Sequence, residues 1–189
     1  MMVVLLSGGL DSMVVAETAR QSGTLTGCVF VDYGHPAQVQ EGWRAFAFCG
    51  ERRIPLRVVH VFGLQLGDMV QGVGARVVPA RNAILIASAA NAAIAMGASA
   101  LAVGAIADDQ ADYVDCRPAF FAAMSAALGI QVAAPLVNRS KTWVAAEAVR
   151  LGLDAAASWS CYGAGPDPCG ACPSCRARIA ALEPGGGGV

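Results

Sequence analysis

Ser7-Gly8-Gly9-Leu10-Asp11-Ser12 and the quartet Cys161-x7-Cys169-x2-Cys172-x2-Cys175 are the two stretches whose residue types and spacing best suit chemistry. In the first, paired glycines let the backbone come close to a phosphate. The turn directly follows the apolar run Met2–Leu6, a strand–turn–helix setting in which backbone N–H groups and a helix dipole converge on an anion. No Gly-Lys-Ser/Thr follows, which excludes a Walker loop, and the third glycine of the dinucleotide fingerprint is absent. The plainer alternative is a Gly-Gly turn with Ser or Asp capping a helix. In the second stretch, thiolates at x2 spacing on a tight turn converge on one tetrahedral Zn²⁺ with Zn–S distances of about 2.3 Å. Cys169, Cys172 and Cys175 supply three ligands, and Cys161 must fold back across Gly163–Pro168 as the fourth. A closed four-sulfur shell makes the metal structural, with no position left for water. Four cysteines equally suit an iron–sulfur cluster, so both remain open from spacing alone.

These residues need a scaffold, and the chain alternates short β-rich runs with longer helical patterns. Met2–Leu6, Gly27–Asp32, Leu56–Val61, Leu101–Ile106 and a weaker Ile130–Ala133 read as strands. Ser12–Gln21, Ala37–Arg52, Ala80–Met96, Pro118–Leu128 and Lys141–Leu151 read as helices, with Gly23, Gly97, Gly129 and Gly152 where a helix C-terminus favours glycine. The alternation predicts an α/β fold, a Rossmann-like doubly wound parallel five-stranded sheet, followed by a small zinc-binding element. The expected division is 1–157 for the domain that carries the glycine turn, 158–181 for the four-cysteine element and 182–189 for a flexible tail. Phe62–Val78, rich in glycine, reads as a loop.

The 189 residues suffice for one domain with a buried core, and their 56% hydrophobic content has no apolar run long enough to span a membrane. It leaves room for a homodimer interface as well. A net charge of −1 provides no polycationic surface for a nucleic-acid backbone, which favours a small-molecule substrate. Met1–Leu6 lacks the basic region and cleavage site of a signal peptide, so a cytoplasmic location is expected, where clustered cysteines bind metal and Cys28, Cys49 and Cys116 stay free.

The pattern SGGxDS resembles the pyrophosphatase loop of the adenine-nucleotide alpha-hydrolase superfamily, whose members split ATP between its α and β phosphates to adenylate an oxygen. With Val31-Asp32-Tyr33-Gly34, Val78-Pro79-Ala80-Arg81-Asn82, Tyr113-Val114-Asp115-Cys116-Arg117-Pro118 and Trp159-Ser160-Cys161-Tyr162 leading into Cys169–Arg176, the chain resembles the 7-cyano-7-deazaguanine synthase (QueC) family. The resemblance implies an ATP-dependent ligase of queuosine biosynthesis that takes ammonia and a 7-deazaguanine acid to the nitrile, with Mg²⁺ accompanying ATP and Zn²⁺ held by Cys161, Cys169, Cys172 and Cys175. It implies that ATP contacts run along Leu6, Ser7, Gly8, Gly9, Leu10, Asp11, Ser12, Met13, Val14, Val15 and Ala16. Ser7, Gly8, Gly9 and Ser12 would hold pyrophosphate, and Asp11 would support magnesium. Activation by AMP needs no side-chain nucleophile, so positioning and charge neutralisation carry catalysis, with Asp11, Ser12 and Lys141 as the catalytic set. Arg81, Asn82, Asp115 and Arg117 are the expected substrate-binding residues, Asp115 for the guanine-like edge and Arg117 for a carboxylate. A helix cap and surface cations are the plainer readings of the same side chains.

Two departures from typical relatives stand out: His35-Pro36-Ala37 after the Asp-Tyr-Gly, and a shorter stretch at Phe62–Val78. They keep open a divergent adenylating enzyme acting on another carboxylate, base or macromolecule, for example in DNA modification or antiviral defence. His60 reads as structural, Cys116 as a buried small residue, and His35 as a residue able to meet substrate or phosphate.

Overall fold

A computed structural model describes residues 1–66 and 78–182. The expected tail at 182–189, apart from Leu182, which ends a helix, and most of the expected loop at 62–78 lie outside the described residues.

Five strands form one sheet: β1 (Met2–Leu5), β2 (Leu25–Asp32), β3 (Leu56–His60), β4 (Ala100–Ala102) and β5 (Gln131–Ala133). All neighbouring pairs are parallel and the order is β3-β2-β1-β4-β5. Because side chains alternate across a strand, each central strand feeds two cores. Val4, Cys28 and Phe30 pack against α1 (Leu10–Gln21), α2 (Gln38–Arg52) and α5 (Lys141–Arg150). Val3, Val29 and Val31 pack against α3 (Arg81–Ala95) and α4 (Pro118–Leu128). The doubly wound sheet is therefore as expected.

The strand order reverses between β1 and β4, so the chain leaves these neighbouring strands toward opposite faces and opens a crevice at their C-terminal ends. The glycine turn follows β1 and Gly104 follows β4, which puts both at that crevice. Gly23, Gly97, Gly129 and Gly152 end their helices at positive φ of 69°, 75°, 66° and 71°.

Three local expectations are corrected. The fourth strand stops at Ala102, two residues before Gly104, and the chain turns into a 3₁₀ helix at Ala107–Gln110. There the apolar run lines the crevice instead of extending the ladder. The first helix begins at Leu10, which places Asp11 inside its first turn. After Cys172 the chain forms a regular helix, α6 (Pro173–Leu182), where only a small zinc-binding element and the start of a flexible tail were expected. Pro173 suits a first helical position, because its fixed φ is already helical and its missing N–H would have no intrahelical partner.

One buried ion cluster ties α1 to α2. Glu17, whose side chain is 3% exposed, accepts from Arg20 at 2.7 and 2.9 Å, Gln21 at 2.8 Å and Arg52 at 3.1 Å. Hydrogen bonds from Arg20 hold its carboxyl below the usual carboxylate range, against the opposing effect of burial.

Candidate active site and metal centre

The crevice holds a cavity of about 400 Å³. Gly8 takes φ of 77° there, and a Cβ on it would stand 3.0 Å from the carbonyl carbon of Glu41, so the turn can lie against α2 only as glycine. Its hydrogen bonds close on themselves. The Ser7 N–H donates to Ser12 Oγ at 3.2 Å, the Ser12 hydroxyl donates to the Gly9 carbonyl at 2.8 Å, and the Gly9 N–H reaches Ser7 Oγ at 3.4 Å. The loop is thus preshaped at the N-terminus of α1, where the helix dipole favours an anion.

Two helices start at this cavity with a cation in their first position, Lys141 on α5 and Arg81 on α3. That is the end at which the helix dipole disfavours positive charge, so each cation needs compensation or an anionic ligand. Lys141 has the first: its Nζ lies 2.7 Å from both Asp11 carboxylate oxygens. Its placement is fixed by the backbone, since Ser140 caps α5 by accepting from the Trp143 N–H and Asp108 accepts from the Lys141 N–H at 2.9 Å. Asp109, close to both Asp11 and Lys141, has its carboxyl pushed up by burial. Arg81 follows Ala80, a non-glycine residue at φ of 54°, and its Nε donates to Asn82 Oδ1 at 3.3 Å. Burial opposes the Arg81 charge, but Tyr33, Tyr162 and Asp115 around it outweigh that and raise its pKa. Burial pushes Tyr33 up to about 12, so it faces the cavity as a neutral donor.

The structure therefore brings Leu6, Ser7, Gly9, Leu10, Asp11, Ser12, Lys141, Arg81 and Asn82 to one cavity. Met13, Val14, Val15 and Ala16 are buried in the core against the sheet; they carry the loop and do not line the cavity. The charge of Asp115 acts on Arg81, and Arg117 is exposed and donates to the Gln110 carbonyl at 3.0 Å; neither lines the cavity. Cys116 does line it as a thiol, pushed up to about 12 by burial and by Asp109, with Asn82 donating to its sulfur at 3.7 Å. His35 is buried, stacked on Tyr33 at 4.6 Å and hydrogen-bonded to Glu41, which removes it from direct contact with a ligand. His60 sits at the end of β3 beside Asp32 at 3.3 Å.

Sequence reading gave no role to Gly104, Asp108, Asp109, Glu41 or Arg178. A Cβ at Gly104 would lie 2.8 Å from the Ser12 nitrogen, so β4 presses its backbone onto the loop. The position of Gly104 and the two aspartates just past a strand at the reversal point was the available signal. Nothing local marks Glu41 or Arg178.

The four cysteines meet as spacing foretold: all four sulfurs lie within 4.8 Å of one another. Tetrahedral thiolates at about 2.3 Å from one ion stand about 3.8 Å apart, close to the 4.0 Å between Cys169 and Cys175. Gly170 at φ of 68° lets the Cys169–Cys172 turn close. The N–H groups of Gly163 and Cys169 donate to the Cys161 sulfur at 3.3 Å, and those of Cys172 and Cys175 to Cys169 and Cys172 at 3.4 Å. Donors on sulfur favour thiolate, and the backbone N–H groups of Ala171 and Cys172 bring Cys169 down to about 6. This donor set fits a metal. The site has its own small core, in which Trp159 packs on Cys161, Cys172 and Cys175 and on Ala37.

A preshaped glycine turn at the reversal point of a parallel sheet, with two helix-start cations facing it, defines a nucleotide-binding α/β enzyme. Known structures share the fold. The U34-tRNA thiolase NcsA from Methanococcus maripaludis, solved with its [4Fe-4S] cluster, superposes with a TM-score of 0.57 over 96% of this chain and 68% of its own at 19% identity. NMN synthetase from Francisella tularensis gives 0.53 over 88% and 68% at 17% identity. More specifically, residues 1–185 match the queuosine biosynthesis protein QueC, and the chain belongs to that family. The 7-cyano-7-deazaguanine synthase of Rhizorhabdus wittichii is 38% identical over 202 residues, covering 93% of this chain and 88% of the relative. That of Novosphingobium aromaticivorans is 40% identical over 210 residues, covering 97% and 90%. Both alignments are longer than this chain of 189 residues, so these relatives carry residues inside the match that it lacks. Among the described residues no helix is long and apolar enough to cross a membrane.

Proposed function

We infer that this chain is an ATP-dependent ligase that converts 7-carboxy-7-deazaguanine and ammonia into 7-cyano-7-deazaguanine. The observation that carries the reading is the convergence of the Ser7–Ser12 turn, Asp11, Lys141 and Arg81 on one cavity in a chain of the QueC family. The acid attacks the α-phosphate of ATP and pyrophosphate departs; ammonia then displaces AMP to give the amide. A second adenylation, on the amide oxygen, allows loss of that oxygen with AMP and gives the nitrile.

The loop N–H groups and the Ser7 and Ser12 hydroxyls hold the departing pyrophosphate. Lys141 neutralises the charge that develops on it, which requires the ammonium group to share its hold on Asp11. Magnesium with ATP falls to Asp11, with Asp109 beside it, and would screen the phosphate charges when bound. Arg81, Asn82 and Tyr33 position the acid, while Asp115 acts by holding Arg81. The compact sulfur set supports zinc over an iron–sulfur cluster, because cluster thiolates sit on separate irons and so stand farther apart than thiolates on one ion. Zinc there would hold the fold, since all four positions are filled by sulfur. In this reading residues 1–157 carry the chemistry and 158–181 the zinc, in the reducing cytoplasm that four thiolates require.

Purified protein with ATP, Mg²⁺, ammonium chloride and 7-carboxy-7-deazaguanine is expected to release AMP and pyrophosphate and to yield the nitrile by mass spectrometry. AMP release indifferent to the acid, or no nitrile, overturns the assignment.

A further inference from the structure

The carboxylates that line the cavity are Asp11, Glu41, Asp108 and Asp109. Asp11 and Asp109 fall to magnesium in the reading above and Asp108 accepts from the Lys141 N–H, which leaves Glu41 without a role and with the wrong sign for two of the three substrates. Glu41 lies on α2, facing the same space as the glycine turn. Its carboxylate is only 22% exposed, and among the described residues no lysine or arginine forms an ion pair with it. Its carboxylate is hydrogen-bonded to His35, whose Nε2 lies 2.8 Å from Glu41 Oε2. The other ring nitrogen, Nδ1, accepts the Ala37 N–H at 3.2 Å. That acceptor role places the proton on Nε2, so a neutral imidazole donates to the carboxylate and leaves its negative charge in place. Tyr33 stacks on the ring at 4.6 Å and His35 is 4% exposed, which locks the donor. The Glu41 backbone is pinned too: its carbonyl lies against Gly8 and its N–H donates to the Ala37 carbonyl at 3.0 Å. The carboxylate is thus held beside the turn expected to bind phosphate.

ATP and a carboxylic acid are anions, and a fixed carboxylate repels both; the cations of the cavity, Lys141 and Arg81, are already placed for them. The third substrate is a cation, because at neutral pH dissolved ammonia is almost entirely ammonium. We propose that Glu41 is the ammonium-binding residue of this enzyme and that His35 is the residue that positions it. The proposal rests on the ligase reading above and adds to it the site of the nitrogen donor. Glu41 attracts the ion from solvent and holds it by a charge-assisted hydrogen bond on the α2 side of the cavity.

The test is initial-rate kinetics of pyrophosphate release in Glu41→Gln, varying ammonium, ATP and the acid in turn. The neutral, nearly isosteric amide is expected to raise KM for ammonium by roughly tenfold or more while KM for ATP and for the acid stay within about twofold. His35→Ala frees the carboxylate to swing and gives the same split in weaker form. His35→Gln, whose amide N–H donates to the same oxygen, restores the wild-type KM. A rise in KM for the acid in place of ammonium makes Glu41 a reader of the guanine-like edge and overturns the proposal. So does an unchanged ammonium KM beside a wild type that saturates with ammonium, an outcome that leaves the ligase reading intact. A wild type that consumes ATP and acid with no dependence on ammonium overturns both.

Discussion

Lys141 sits at the helix end where the dipole works against it, and its hold on both Asp11 oxygens at 2.7 Å offsets that cost. The pair is 21% and 24% exposed, so solvent screening reduces what it adds to stability and leaves its main value in charge placement. Lys141→Met is therefore expected to lower the rate of AMP formation by about 100-fold or more, with a melting temperature within a few degrees of wild type. A mutant that loses its fold, read as a melting transition shifted by more than about 10 °C, would make the residue structural. Sequence reading found this pair one residue at a time: Asp11 came from the motif, and Lys141 from a helix start 130 residues away. It did not find that they touch, because pairing across that distance is set by tertiary packing. For Asp115 and Arg117 the motif was legible and the geometry was not, since both lie on a short 3₁₀ turn or its edge whose direction no periodicity encodes.

Helix α6 shows how an element at the end of the description reaches the loop near its start. It begins one residue after Cys172 and carries Cys175, so a metal held by the four sulfurs would fix its first turn. From there Arg178 reaches back to the Ser158 carbonyl at 2.8 Å, to its hydroxyl at 3.1 Å and to the Ala155 carbonyl. The next residue, Trp159, donates its N–H to the Gly8 carbonyl at 2.9 Å. A chain of contacts thus runs from the thiolates through Arg178 and Trp159 to the glycine turn. Arg178→Ala is expected to weaken binding of a non-hydrolysable ATP analogue by roughly five- to tenfold in calorimetric titration while one zinc per chain is retained. Loss of zinc with unchanged nucleotide affinity would show that Arg178 serves the metal site alone. The cysteines were legible because ligand spacing is local. The helix that carries Cys175 was hidden by the proline and glycines around it, and its partner at residues 155–158 has no sequence signature.

At the scale of the molecule, two halves of a sheet diverge and a cavity opens in the gap. The glycine turn belongs to β1 and α1, the acidic 3₁₀ turn to β4, Arg81 to α3 and Lys141 to α5, so the cavity draws its lining from both faces of the fold. The order of elements was readable from alternating hydrophobic runs, since burial on both sides imposes apolar strands and glycines mark helix ends. The contact at the gap was not readable, because it depends on how closely two loops approach. Gly104 measures that approach: its missing side chain leaves room for the Ser12 nitrogen, which a Cβ would meet at 2.8 Å. Both atoms are backbone-borne, so no rotamer change relieves the overlap and one loop must move. Gly104→Ala is expected to cost about 1–3 kcal/mol, taken mainly from the loop geometry proposed to bind pyrophosphate. Ligand binding stabilises the folded state by mass action, so a saturating ATP analogue should raise the wild-type melting temperature and raise that of Gly104→Ala far less, with zinc content unchanged in both. An equal shift in the two proteins would mean that nucleotide binds without contact to the Ser12 turn, and would remove the strand-reversal crevice as the site of adenylation.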